Sequence, residues 1–262
     1  MPEVTDAQRE RVRERPTERP VMREIWRHLS FLHWPVAAEM IAPMLPPGLE
    51  VDTFDGVAYV GLVPFTIPLT RTAFWPGLPL APAFHEINLR TYVHRGGRDP
   101  GVWFFSLDAA SRLAVAGARA AYRLPYFHAR IRMGEGGDAG EIDFEARRPR
   151  RSAIDAHDRS STIEAHFVCR YRPAGNIAAA ALGTLEYFLA ERYLLYAWTG
   201  KALRAARVFH RPYPLRPAVV RGLEQTLTTA AGLAIDRSAA PLAHYAREVD
   251  VRIYRPHRVT DG

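Results

Sequence analysis

Alternation of apolar and polar side chains along short stretches is the feature that most constrains the fold of this chain. In residues 86–93 (EINLRTYV), Ile, Leu, Thr and Val occupy the odd positions and Glu, Asn, Arg and Tyr the even ones. Residues 162–171 and 248–253 show the same two-residue period. Because successive side chains of a strand point to opposite faces, each stretch predicts a β-strand with one buried face.

The remaining patterns predict more strands, tight turns and a few short helices. Asp55-Gly56 separates two strand-like runs and predicts a hairpin, and the glycines of 134–140 predict a second hairpin connection. No helical pattern follows those glycines, which argues against a phosphate-binding loop. Ser111 is expected to cap a helix over 111–123. Further strands are predicted over 30–34, 49–54, 57–65, 102–107, 127–133, 141–147 and 192–198, short helices over 36–45 and 182–190, and a proline-rich loop over 67–82.

These patterns predict an α+β fold that is mainly antiparallel β. Many alternating strands with few helices to cover them favour a curved sheet or a barrel-like closure. Residues 1–22 are rich in Arg, Glu and Pro and predict a flexible polar tail, or at most a marginal helix. We expect residues 23–262 to form a single domain, because no repeat or linker divides them.

Composition excludes several classes of protein. Lys201 is the only lysine, and the other 34 of the 35 basic side chains are arginines spread along the chain without a basic stripe. We therefore expect no nucleic-acid partner, and read the net charge of +7 as a solvated arginine-rich surface. With Cys169 as the single cysteine, neither an intramolecular disulfide nor a cysteine-based zinc site is expected. No signal peptide or membrane span is evident, so we expect a cytoplasmic protein without a membrane partner.

An ordered set of motifs is similar to the uncharacterised DUF2071 (YqjF-like) family. The resemblance extends over residues 26–254 and depends on 31–36 (FLHWPV), 45–50 (LPPGLE), 54–65 (FDGVAYVGLVPF), 86–93 (EINLRTYV), 103–108 (WFFSLD), 191–196 (ERYLLY) and 210–215 (HRPYPL). That family resembles acetoacetate decarboxylase in fold, which implies a cone-shaped β-barrel with a partly apolar cavity. The decarboxylase forms a Schiff base on a lysine at a strand-to-helix junction. The corresponding junction here, 106–112, contains no lysine, so the resemblance does not carry that chemistry over.

The strongest candidate site is the polar face of the strand at 86–93. The resemblance matches Glu86 to a strand glutamate of the decarboxylase. If this face lines a cavity, Glu86 is the candidate acid or base, Arg90 the anchor for a substrate anion, and Asn88 and Tyr92 further substrate-binding groups. The alternative is a solvent-exposed face on which Glu86 and Arg90 form a surface ion pair of little energetic weight.

Weaker candidates lie at the following junction and around the lone lysine. We assign Ser106 and Arg112 to substrate binding, since Arg112 opens a helix whose N-terminus is suited to an anion. Lys201 follows a Thr-Gly turn signal and is expected to be solvated. The ten histidines form no metal-binding pair by spacing, so no metal and no cofactor is predicted.

Two functions remain open at this point. The first is an enzyme that performs lysine-independent acid–base chemistry, of lyase, isomerase or aldol type, on an anionic or carbonyl-bearing small molecule. The second is a non-catalytic ligand-binding or sensing protein that uses the same cavity. The expected partner is a small-molecule ligand or substrate, and a homo-oligomer is left open.

Overall fold

A computed structural model of the chain describes residues 3–72, 79–137, 140–149, 164–236 and 238–259. The strands are β1 (Met22–Val36), β2 (Glu50–Val51), β3 (Ala58–Thr72), β4 (Pro79–Ala81), β5 (Phe84–Arg95), β6 (Arg98–Ala109), β7 (Tyr126–His128), β8 (Arg130–Glu135), β9 (Ile142–Arg148), β10 (Ala165–Pro173), β11 (Leu194–Trp198), β12 (Leu203–His210), β13 (Leu215–Gln225), β14 (Leu242–Ile253) and β15 (His257–Arg258). The helices are α1 (Asp6–Arg13), α2 (Ala38–Ile41), which a 3₁₀ turn (Ala42–Met44) continues, α3 (Arg112–Tyr122), α4 (Leu185–Ala190) and α5 (Leu227–Ala230).

The strands form one curved, mostly antiparallel sheet whose pairings close into a ring. The order is β15-β12-β11-β6-β5-β3-β1-β14-β13-β10-β9-β8, and β12 also pairs with β14. That extra pairing makes a closed path through β12, β11, β6, β5, β3, β1 and β14. The predicted α+β class with mainly antiparallel strands and a curved sheet is confirmed.

A four-stranded extension of the sheet, β13-β10-β9-β8, covers the outer face of the ring. Its buried side chains, including Phe144 and Phe167, share one apolar cluster with Leu62, Ile87 and Leu89 of β3 and β5. Apolar packing of this kind is the main stabilising contribution to such a layer. The outer face of β5 is therefore buried under the extension, and its inner face is turned to the centre of the ring.

Local sequence signals account for the ends of several elements. The Ser111 hydroxyl accepts a hydrogen bond from the Ala114 amide at 3.2 Å, which confirms it as the cap of α3. That helix ends where Arg123 takes a left-handed conformation. The Asp55-Gly56 turn forms as predicted, with positive φ at both residues. The hairpin predicted around it is wrong, however, because β2 pairs with β5 and only one bridge joins the two sides of the turn.

Two further segments were expected to contain little regular structure. In residues 1–22, expected to be a flexible polar tail or at most a marginal helix, residues 6–13 form helix α1, whose Val12 is buried against the sheet. The predicted loop over 67–82 overlaps β3, which continues to Thr72, and β4; residues 73–78 of that prediction lie outside the described part. The single domain over residues 23–262 stays a prediction.

No helix in the described part of the chain is long and apolar enough to cross a membrane.

Candidate functional site

The ring encloses a cavity of about 110 Å³. Its wall is contributed by β1, β3, β5, β6, β11, β12 and β14, and α3 closes it from one side with Ala118 and Tyr122. Most of this wall is apolar, so the few ionisable side chains that reach it are removed from bulk water. Those side chains are Glu24, Glu86, Arg90, Arg192 and three tyrosines, Tyr122, Tyr126 and Tyr213.

The polar face of β5 points into this cavity. Glu86, Asn88 and Arg90 line it, and they are only 3%, 6% and 7% exposed. This arrangement contradicts the alternative of a solvent-exposed face. Tyr92 lies on the same face but beyond the cavity wall, where its hydroxyl contacts Arg90.

Two carboxyl groups and a tyrosine form one end of the cavity, called the acidic end here (Glu24, Glu86 and Tyr126). The Tyr126 hydroxyl lies 3.2 and 3.1 Å from the two carboxyl oxygens of Glu86. Burial, and then the nearby Glu24 carboxyl, raise the pKa of Glu86 well above its ordinary value. Burial also raises the pKa of Glu24, although the Trp26 indole and the Thr70 hydroxyl donate to it at 2.7 and 3.1 Å. The acidic end is therefore suited to keep a proton that an ordinary glutamate at the same pH would have lost.

Two arginines form the other end, called the cationic end here (Arg90, Arg192 and the groups that hold them). Arg90 donates to the Leu189 carbonyl at 3.0 Å, and Arg192 donates to the Asp52 carboxylate at 2.6 Å. Within the described residues, Nε of Arg90 and Nη2 of Arg192 are buried without a hydrogen-bond partner. Buried donors without a partner are rare in folded proteins, so these two atoms give the cationic end unused hydrogen-bonding capacity.

A buried histidine, His33, is hydrogen-bonded to Tyr92, which in turn contacts Arg90 at the cationic end. The Tyr92 hydroxyl donates to the Leu189 carbonyl at 2.6 Å, so its oxygen accepts from Nε2–H of His33, also at 2.6 Å. Burial and the Arg90 charge lower the pKa of His33 well below its ordinary value, which keeps the ring neutral. Gly61 makes room for this ring, because a Cβ there would lie 2.7 Å from His33 Cδ2.

Ser106 and Arg112, two predicted substrate-binding residues, do not reach the cavity. Ser106 pairs with Leu89 in the sheet and therefore shares its outward face. The cause is a register shift between β5 and β6 at Phe105, which reverses the parity of every later residue in β6. Leu107 points into the cavity in its place. Arg112 begins α3 on the surface and is exposed.

The outward face of β6 carries its own buried ion pair. Asp108 lies 2.6 Å from Nε of Arg148, and the Ser106 hydroxyl donates to Asp108 at 3.3 Å. Burial raises the pKa of Asp108 to about 6 in spite of the arginine. This pair links β6 to β9 outside the cavity.

Lys201 is exposed in a turn, as predicted, and does not contact the cavity. The turn is held by hydrogen bonds between Thr199 and Ala202. Because the chain has no other lysine, no lysine side chain is available at the site. In the described ranges, no group of three or more His, Cys, Asp or Glu side chains is arranged to hold a metal ion.

Sequence reasoning missed several residues of the site. Glu24 and Tyr126 precede the strands predicted at 30–34 and 127–133, and both strands begin earlier than expected. Arg192 lies in one of the motifs that carry the family resemblance, which was a usable signal. Asp52 and Arg9 offered none, since only tertiary packing brings them to Arg192.

The fold is that of acetoacetate decarboxylase-like proteins. The enduracididine biosynthesis enzyme MppR, in its complex with pyruvate, aligns with a TM-score of 0.60 at 13% identity, covering 95% of this chain and 94% of that one. Acetoacetate decarboxylase from Legionella pneumophila aligns with a TM-score of 0.59 at 12% identity, covering 100% and 97%. At such identities the likeness shows the fold alone.

The chain belongs to the DUF2071 family, described as an uncharacterized conserved protein family, whose model matches residues 23–250. The uncharacterized protein YqjF of Bacillus subtilis (strain 168) is 39% identical over 226 residues, which cover 86% of this chain and 87% of YqjF. The predicted family membership is confirmed.

Proposed function

We propose that the cavity binds a small organic anion that carries a carbonyl group, and that Glu86 acts on it as a lysine-independent acid or base. The observation that carries this proposal is that the two ends of one cavity have unlike chemistry. Arginine donors without partners lie at one end, and a buried, tyrosine-bonded carboxyl group lies at the other.

The size of the cavity limits the ligand to a compact molecule. An apolar cavity of about 150 Å³ holds benzene, so a volume of about 110 Å³ suits a ligand of roughly six non-hydrogen atoms or fewer. Pyruvate, which the structural neighbour MppR binds, has that size and is a suitable first probe.

The arginines are suited to fix a carboxylate. Their guanidinium groups keep their charge when buried more readily than any other side chain and match a carboxylate in geometry. Asn88 adds a buried side-chain oxygen without a partner among the described residues, which could accept from a hydroxyl group of the ligand. Binding of the anion would orient the rest of the ligand toward Glu86.

Glu86 and Tyr126 would supply the acid–base step. The only lysine, Lys201, does not line the cavity, so in this proposal a hydrogen-bond donor rather than a lysine iminium ion polarises the carbonyl group. The Glu86 carboxyl group, whose protonated form is favoured by its raised pKa, is such a donor, and its conjugate base can take a proton from the adjacent carbon. This chemistry supports lyase, isomerase or aldol-type reactions.

Proton exchange of pyruvate in deuterium oxide tests the proposal without knowledge of the natural substrate. We expect the protein to accelerate exchange of the methyl protons, followed by NMR. Glu86→Gln should lower that rate by about 10²- to 10⁴-fold, the usual contribution of a general acid or base. Glu39→Gln, an exposed glutamate on α2, is the matched control and should leave the rate unchanged.

Two results would contradict the proposal in different ways. Exchange that is equally fast in Glu86→Gln would remove Glu86 from the chemistry. Pyruvate binding with no exchange in the parent protein would favour the non-catalytic binding function. Borohydride trapping with pyruvate should label no lysine side chain, because Lys201 is outside the cavity.

A further inference from the structure

We infer that Arg9 of α1 is a positioning residue for the cationic end of the cavity, where it fixes Arg192 for a ligand anion. Arg9 bonds to both oxygens of the Asp52 carboxylate, and this leaves one N–H group of Arg192 available to the ligand. The inference rests on the proposed function of the cavity. It adds a residue from outside the stretch that the family model matches, 23–250.

Arg9 binds Asp52 through both of its terminal nitrogens. Nη1 and Nη2 each lie 2.9 Å from a different oxygen of the carboxylate, the two-bond geometry in which arginine binds carboxylates most specifically. The side chain of Arg9 is only 11% exposed and that of Asp52 only 2%. This contact is therefore part of the protein interior and well shielded from solvent.

Arg192 uses the hydrogen-bonding capacity of Asp52 that Arg9 leaves. Its Nη1 donates to the same carboxylate oxygen that Arg9 Nη1 contacts, at 2.6 Å, and its Nε donates to the Phe188 carbonyl at 2.8 Å. The other carboxylate oxygen, Oδ1, is bonded to Arg9. Arg192 therefore makes a single bond to Asp52, and its Nη2 stays buried without a hydrogen-bond partner among the described residues, in a side chain that lines the cavity.

Aromatic rings hold the two guanidinium groups in place. The Phe188 ring contacts both, with Arg9 Cζ 5.0 Å and Arg192 Cζ 4.3 Å from its centre. Tyr92 contacts Arg192 at 4.6 Å. Two cations against one ring are tolerated because Asp52 compensates part of their charge.

Helix α1 is packed firmly enough on the rest of the protein to hold Arg9 at Asp52. Val12 is 4% exposed and packs with Leu49 and Leu194, and the Arg207 guanidinium donates to the carbonyls of Val12 and Glu14 at the end of the helix. Without Arg9, the Asp52 carboxylate would be open to a second bond from Arg192. Arg192 would then turn both terminal nitrogens to Asp52, and the cavity would lose its donor.

The test compares two probes that differ in charge but hardly in size, pyruvate and pyruvamide. We expect Arg9→Ala to weaken pyruvate binding by about tenfold to a hundredfold, the loss of one hydrogen bond to a charged group, and to leave pyruvamide binding unchanged. Binding is measured by calorimetric titration of the full chain. Arg11→Ala removes an exposed arginine from the same helix and should change neither affinity. Arg9→Gln keeps one donor for Asp52 and tests the same point if Arg9→Ala does not fold.

Two other results would overturn the inference, and a third would contradict the proposed function. Equal weakening of both probes would mean that α1 only closes the cavity, and unchanged pyruvate binding would mean that Arg192 is positioned without Arg9. Either outcome overturns the inference and leaves the proposed function intact. Failure of the parent protein to bind pyruvate would instead contradict the proposed function, together with the inference that rests on it.

Discussion

The two ends of the cavity accommodate buried ionisable groups in opposite ways, by protonation at the acidic end and by ion pairing at the cationic end. At the acidic end, Glu86 and Glu24 are close enough for one charge to disfavour the other, and no cation bonds to either of them among the described residues. At the cationic end, Asp52 is shared by two arginines, and aromatic rings and carbonyl oxygens take up the rest of their charge. One end therefore holds protons and the other holds permanent charge.

This difference shows why the two ends suit different tasks. A group that gains or loses a proton at moderate pH can take part in acid–base chemistry. A guanidinium group that never loses its charge can bind and orient an anion, and the pKa of Arg192, although lowered by burial, is still about 10. The comparison predicts opposite responses when equivalent changes are made at the two ends.

Removal of a carboxylate from the cationic end should have the largest effect. Asp52→Ala leaves Arg9 and Arg192 buried without their shared counter-ion, and loss of one partner from a buried ion pair costs about 3–5 kcal/mol of the free energy of unfolding. Urea denaturation measures this loss. Asp143→Ala, which breaks an exposed pair with Arg170, is the control and should cost at most about 1 kcal/mol. Equal losses in the two variants would refute a special role for the cationic end.

The dependence of stability on pH should separate the two ends next. The pKa of Glu86 is raised in the folded protein, so the folded state binds more protons than the unfolded state at pH values above 4.5, the ordinary pKa of a glutamate. Its contribution to stability therefore falls as pH rises, by about 1.4 kcal/mol per pH unit until the folded pKa is passed. Asp52 has a lowered pKa, so its contribution is lost in the opposite direction, as pH falls below 3.8, the ordinary pKa of an aspartate.

Glu86→Gln removes the first of these contributions. We expect the free energy of unfolding of this variant, measured in urea between pH 5 and 8, to decline less steeply with rising pH than that of the parent. Glu39→Gln should follow the parent curve. Parallel curves for Glu86→Gln and the parent would show that the Glu86 carboxyl group ionises normally.

A pair of glycines gives the smallest and most local comparison. Gly61→Ala would place a methyl group within 2.8 Å of His33, beneath the cationic end, and such overpacking costs about 1–3 kcal/mol. Gly117 lies on α3, which covers the acidic end, and a Cβ added there would have no atom within 4 Å. Gly117→Ala should therefore stabilise the helix by about 0.5–1 kcal/mol. Thermal unfolding should move in opposite directions for the two variants, and a shift of the same sign in both would contradict this reading of the packing.

Much of the fold followed from patterns that act over a few residues. The two-residue period of 86–93 predicted β5, and Ser111 marked the start of α3. Periodicity alone favoured an exposed polar face for β5, and the family resemblance indicated a cavity. The structure shows why periodicity was insufficient, since β5 is a central strand with the extension on one side and the cavity on the other.

The rest of the site depends on pairings between distant parts of the chain. Arg9, Asp52 and Arg192 come from three separate elements, and no local pattern records that they meet. Strands β12 and β13 were not predicted, although β12 closes the ring. Ser106 was placed on the wrong face because the alternation rule assumes an unbroken register, which β6 does not keep.

The extra residue in β6 also bears on how this scaffold can acquire new chemistry. Phe105 shifts the strand by one position, so that Leu107 faces the cavity while Ser106 and Asp108 face away from it. Deletion of that one residue would restore the simple alternation and leave the lining as it is, because Leu107 would still pair with Asn88 and face the cavity. A bulge of this kind therefore lets a strand gain or lose one residue without changing a pocket, and new chemistry here requires a substitution at a position that already faces the cavity, such as Leu107.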